Sequence, residues 1–113
     1  MRRPMPKEPK VKVEVGMGAS MGVGTDCYAY EIVKVINPKH VIVRRLDSRL
    51  VSGDILSESQ EYEFHSNVDN KTLHVVFRYG RWWGNSQYPA MKLDSKYERW
   101  SMGAAHEYRD PCF

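Results

Sequence analysis

Residues 61–83 read EYEFHSNVDNKTLHVVFRYGRWW, and the pattern of this stretch decides the fold class. In Glu61-Tyr62-Glu63-Phe64-His65 charged and aromatic side chains alternate, and Leu73, Val75, Phe77 and Tyr79 repeat the same two-residue period. A period of two places alternate side chains on opposite faces of a strand, so both segments are expected as half-buried β-strands. With 66–71 as the connecting loop they are expected to pair with each other. Phe64 then falls opposite Leu73, Tyr62 opposite Val75, and Glu63 opposite His74. Gly80-Arg81 fits a two-residue hairpin turn with glycine first, returning the chain into Trp82 and Trp83. Phe64 and Phe77 are expected in the core, and only one of Trp82 and Trp83 can point inward.

The same reading extends in both directions. Val11-Lys12-Val13-Glu14-Val15 alternates and enters a loop rich in glycine, Gly16, Gly18, Gly22 and Gly24. Residues 28–36 are aromatic and β-branched on both faces, Asn37-Pro38-Lys39 turns the chain, and 40–46 is the returning strand. Ser52-Gly53-Asp54 breaks the next segment. Residues 85–89 are loop-like, 91–102 is ambiguous between strand and short helix, and 106–113 is a final strand or tail. No segment sustains a helical repeat. The chain is therefore expected to be mainly β, a small barrel of roughly five to seven antiparallel strands.

At 113 residues there is room for one hydrophobic core. The apolar share of 42% and charged share of 27% exclude a disordered, collagen-like or coiled-coil chain. Residues 2–10 hold Pro4, Pro6 and Pro9 and one other apolar side chain, Met5, so 1–10 is expected as a disordered basic tail and 11–113 as the folded domain. Arg2, Arg3, Lys7 and Lys10 against Glu8 give that tail the whole chain's net charge of +3, leaving the body formally neutral. Within the body, 34–49 is basic and 50–64 acidic, the pattern of strands that attract one another by cross-strand pairing. No stretch approaches the ~20 apolar residues of a membrane span. The basic start has no apolar segment behind it, so a cytoplasmic location is expected.

Few residues offer chemistry. Gly18-Ala19-Ser20-Met21-Gly22 matches the nucleophile-elbow spacing, but no helical pattern follows it and a barrel of this size lacks the sheet that the mechanism needs. Cys27 and Cys112 form no CxxC pair, so no zinc or redox motif is present; they are expected as thiols, with a bridge between them an open alternative. His65 and His74 are brought together by the expected hairpin, near Glu63, without the tight local spacing of a zinc site. Glu61 and Glu63 lie about 7 Å apart on one strand face with no apolar pocket to raise either pKa. Asn70-Lys71-Thr72 is a glycosylation sequon, idle in a cytoplasmic chain. No catalytic residue, metal ligand or cofactor is assigned.

The most informative stretch for function is Arg78-Tyr79-Gly80-Arg81-Trp82-Trp83, followed by Tyr88, Tyr97 and Trp100. Exposed tryptophan beside arginine is the composition of protein interface anchors. Cations interleaved with rings also grip phosphates and stack bases. The binding residues expected are Arg78, Arg81, Trp82 and Trp83, with Arg44 and Arg45.

Val15-Gly16-Met17-Gly18-Ala19-Ser20, the loop ending Thr25-Asp26 and the β-rich 28–36 resemble the opening of SH3-like barrels of the KOW or Tudor type. Over 14–113 the chain is similar to a group of small proteins encoded by tailed phages and prophages. The likeness runs through Ser57-Glu58-Ser59-Gln60-Glu61-Tyr62, Tyr79-Gly80-Arg81-Trp82 and Tyr108-Arg109-Asp110-Pro111-Cys112-Phe113. It departs at Cys27, where a basic residue commonly follows the aspartate. The resemblance implies an SH3-like barrel in a host-cell cytoplasm and implies no activity. The leading expectation is a non-enzymatic module that binds a host or phage protein, as an accessory or host-defence-modulating factor. The alternatives are nucleic-acid binding and sequestration of a small nucleotide.

Overall fold

The structure, a computed structural model, describes residues 8–52, 61–90 and 92–105. Eight strands follow in order: β1 (Gly18–Val23), β2 (Asp26–Asn37), β3 (His40–Arg45), β4 (Asp47–Ser52), β5 (Glu61–His65), β6 (Thr72–Arg78), β7 (Arg81–Asn85) and β8 (Glu98–Met102). No helix occurs among the described residues. Strands β1-β2-β3-β6-β7-β8 form a closed antiparallel barrel, and β4 and β5 form a separate two-stranded sheet. Six barrel strands fall within the expected five to seven.

The chain segments expected as β2 and β3 are those strands, joined at Pro38-Lys39, where the Lys39 amide donates to Asn37 Oδ1 at 2.8 Å. The pairing of the decisive stretch differs. β5 does not pair with β6: it pairs with β4, placing Phe64 opposite Ser48, Tyr62 opposite Leu50 and Glu63 opposite Arg49. β6 lies between β3 and β7, with Val75 opposite Val41 and Leu73 opposite Val43. Alternation specifies a strand but not its partner, and 66–71 resembles a hairpin loop only in composition. Its polar side chains instead fasten it to the joint between β3 and β4. Asn67 Nδ2 donates to Asp47 Oδ2 (2.9 Å), and Asn70 Nδ2 donates to Asp47 Oδ1 and to the Arg45 carbonyl (both 2.8 Å). These amide donors hold the Asp47 carboxyl below the usual aspartate range. Of the two expected charge stripes, the Arg49 and Glu63 positions do fall opposite each other, whereas Arg44 pairs with Glu31 of β2.

Two further expectations are corrected. Residues 11–15 are not a strand. The chain turns at 14–17, Gly16 N–H donates to the Ile32 carbonyl (2.8 Å), and only Val13 of the alternating valines is buried in the core. Pro9 and Lys10 line one cleft with Val35 and Pro38 and another with Phe77 and Trp82. Residues 1–7, the 53–54 break and 106–113 lie outside the described residues. The hairpin turn is Tyr79-Gly80, one residue earlier than expected. Its φ values of 51° and 78° are the paired positive angles that match the twist of two-residue hairpins, and glycine takes the second position.

The faces are those that alternation sets, because moving the turn by one residue changes the cross-strand partner by two and keeps each side chain on its side. Trp82 pairs with Phe77 and points inward; Trp83 pairs with Val76 and points outward. Inside the barrel Ile32, Val41, Val43 and Val75 are fully buried, closed over by Val13, Trp82, Trp100 and Met102. Phe77 is partly buried against this cluster and meets Trp82 edge-to-face at 5.4 Å. Phe64, expected in the core, is half-buried on the β4–β5 sheet and not part of it. Trp82→Ala is therefore expected to cost roughly 3–5 kcal/mol and Phe64→Ala less than about 2 kcal/mol, the difference being read from urea midpoints at constant slope.

Candidate binding face

The outer side of the β6–β7 hairpin is built around one guanidinium. Arg81 and Trp83, two apart on β7, share a face, and the Arg81 guanidinium sits 3.8 Å from the Trp83 ring centroid. The same group reaches the chain leading into β8: Nη1 donates to the Lys96 carbonyl (3.1 Å) and Nη2 to the Glu98 carbonyl (2.8 Å). Trp83 is fixed from its other edge, its Nε1–H donating to the Arg78 carbonyl at 2.9 Å. The tryptophan is thus half-buried in a fixed orientation. Flanking it, Tyr79 at the turn and Tyr97 before β8 are both 69% exposed, and Lys96 Nζ stands 5.3 Å from the Tyr97 ring.

Further along the same outer face, His40 Nε2 and His74 Nδ1 are 2.8 Å apart. Tyr88 stacks on His74, with ring centroids 4.0 Å apart and planes 12° from parallel, and meets His40 edge-on at 5.1 Å. Burial holds the pKa of both histidines below the ordinary value, and for His40 the neighbouring His74 adds to it.

Of the residues expected to bind, the structure brings together Arg78, Arg81 and Trp83. Trp82 is a core residue, 6% exposed. Arg44 and Arg45 lie at the other end of β3, since His40 pairs near the hairpin tip and Arg44 with Thr72 at the opposite end of β6. Arg44 is held by Glu31 at 2.9 Å. Arg45 donates to the Ala29 and Leu46 carbonyls (2.8 and 3.1 Å) and covers the Tyr28 and Tyr30 rings. The expected meeting of His65 with His74 does not occur, because His65 stays on β5, 3.4 Å from Glu63. His40 joins His74 only through the β3–β6 pairing, which alternation alone does not specify. Alternation within 40–45 and 72–78 carried enough signal to place His40 and His74 on one face once that pairing is known.

The barrel mouth offers a cleft of about 620 Å³, floored by Tyr30, Leu73 and Trp100 and rimmed by Lys92, Asp94 and Glu98. Burial and the nearby Asp94 raise the Glu98 carboxyl pKa above its ordinary value. Ser20 sits within β1 opposite Ala29, not on a strand-to-helix turn. Cys27 is half-buried on β2 opposite Gly22, and Cys112 lies outside the described residues. Among the described residues there is no group of three or more His, Cys, Asp or Glu side chains that could hold a metal, and no helix long and apolar enough to cross a membrane. Comparison with protein-family models, with curated proteins and with solved structures finds no match to this chain.

Arg81 acts through a planar fork, so Arg81→Lys keeps the charge and loses both the two-carbonyl bridge and the flat stack. That change is expected to lower stability by about 1–2 kcal/mol, while Arg78→Ala, on an exposed side chain, stays within about 0.5 kcal/mol of wild type. Urea unfolding followed by tryptophan fluorescence checks both.

Proposed function

We propose that this chain is a non-enzymatic SH3-like module of phage type that engages a host or phage protein in the host cytoplasm through the outer face of β6, β7 and the approach to β8. The observation that carries this reading is the fixed Trp83, stacked under Arg81 and hydrogen-bonded to the Arg78 carbonyl. Anchors that lose little freedom on binding contribute most to affinity, and tryptophan, tyrosine and arginine are the residues in which interface energy concentrates. Tyr79 and Tyr97 extend the anchor on either side.

The arrangement of the arginines weighs against nucleic acid as the partner. Arg44, Arg45 and Arg81 already donate to acceptors of the protein itself, and of the four arginines in the expected set Arg78 is the exposed one. Phosphate binding would have to withdraw these groups from their partners, whereas a protein surface packing on Trp83 leaves them in place.

The test is capture from host lysate by the immobilised chain, with and without nuclease, comparing wild type, Trp83→Ala and Arg78→Ala. A nuclease-resistant partner is expected, with Trp83→Ala weakening its binding by about 2 kcal/mol or more and little change between about 0.1 and about 0.5 M salt. Nuclease-sensitive capture with a steep salt dependence, or a Trp83→Ala protein that binds as wild type, overturns the reading.

A further inference from the structure

His40 and His74 form a contact that neither barrel closure nor the Trp83 anchor uses. With Nε2 of one ring and Nδ1 of the other 2.8 Å apart, one nitrogen donates its hydrogen and the other accepts with its lone pair. The contact survives while at least one of the two rings is neutral. When both are imidazolium, both facing nitrogens carry hydrogens and both rings are cationic, so the bond becomes a repulsion. Among the described residues no group of three or more His, Cys, Asp or Glu side chains includes the pair, and a proton is the species whose gain by both rings turns the bond into a repulsion.

Tyr88 depends on this pair for its position. Its ring lies flat on His74 and edge-on to His40. Its amide donates to the Asn85 carbonyl over a long 3.4 Å, and Asn85 stands directly opposite His74 in the β6–β7 register. The Asn85 amide is fully buried with neither Oδ1 nor Nδ2 partnered, so that bond is the polar link seen between this part of the loop and the end of β7. The other attachment of the loop is Asp94, which receives the Ser86 amide and hydroxyl and donates its own amide to the Gly84 carbonyl.

We propose that the His40–His74 pair is a proton-operated latch that holds Tyr88 flat against the barrel wall and releases it on acidification. Tyr88 stands on the same outer face as Trp83, so release alters the face assigned above to a protein partner; that consequence, though not the latch, rests on that reading. The charged groups on this side are Lys34 of β2, Arg78 of β6, Arg81 of β7 and the Glu31–Arg44 pair between β2 and β3. Lys39 adjoins His40, the loop that carries Tyr88 adds Lys92 and Asp94, and Glu31 is engaged by Arg44 and by the Ser66 hydroxyl. Burial opposes a second proton on the pair, and for His40 the neighbouring His74 adds to it. Both histidines have folded-state pKa values below those of the unfolded chain, so their contribution to stability is complete above the ordinary histidine value of about 6.5 and is lost as pH falls through the folded values.

The free protein tests the latch by NMR, with the His40 and His74 ring nitrogens, the Tyr88 ring protons and the methyls of Val41, Val43 and Val75 followed while the pH is lowered. Stacked on an imidazole, the Tyr88 signals are displaced upfield. That displacement is expected to vanish as both histidines become protonated, with a midpoint below the ordinary histidine value, while the core methyls stay in place. In His40→Gln, where a neutral amide replaces one ring and a dication cannot form, Tyr88 is expected to remain stacked over the same range. A wild-type Tyr88 signal indifferent to pH overturns the latch. So does an identical transition in His40→Gln, or movement of the core methyls in step with Tyr88. No partner is present in this measurement, so its failure leaves the binding face standing, and loss of Trp83-dependent capture leaves the latch standing.

Discussion

The barrel is closed at its weakest point by Arg81. Strands β7 and β8 share a single register pair, Trp82 with Trp100, whereas β8 pairs with β1 at five positions. On the inner side that seam is filled by the two tryptophans and Phe77, with Tyr30 edge-on to Trp100 at 4.7 Å. On the outer side the Arg81 fork replaces the missing ladder bonds by reaching the carbonyls of Lys96 and Glu98. A lysine, with one point of charge and no plane, could not bridge two carbonyls and stack on a ring at the same time. The residue that closes the barrel is also the residue that holds Trp83 outward, so fold and candidate face share one side chain.

The fold class was legible in the sequence because the two-residue period of 61–65 and 73–79, and the aromatic and β-branched content of 28–36, are strand patterns. Strand partnership was not. β5 and β6 carry similar alternation, and nothing local shows that β4 and β5 pair with each other while Asn67 and Asn70 tie the intervening loop to Asp47. The turn was misplaced by one residue because glycine suits either central position. The observed turn sets Tyr79 at positive φ, a conformation the sequence gives no reason to expect of tyrosine.

The candidate site was legible to the same extent. An arginine–tryptophan cluster at this hairpin, with one tryptophan in and one out, follows from alternation alone. The roles of Arg44 and Arg45 do not, because their partners, Glu31 and the carbonyls of Ala29 and Leu46, come from β2 and from the end of β3. Two cations of the basic stripe, Arg44 and Arg45, are internal ties in three dimensions. The histidine pair is hidden in the sequence for the same reason, since alternation does not show that β6 lies beside β3 and not beside β5.

Native-state hydrogen exchange on wild type and Arg81→Lys bears most directly on the claim that one guanidinium closes the seam. The amides of β8 and of 94–98 should lose protection selectively in the variant, while those of the β2–β3 ladder keep theirs, because local opening at the seam needs no disruption of the core strands. Protection lost uniformly across the barrel, or unchanged in β8, would contradict the account.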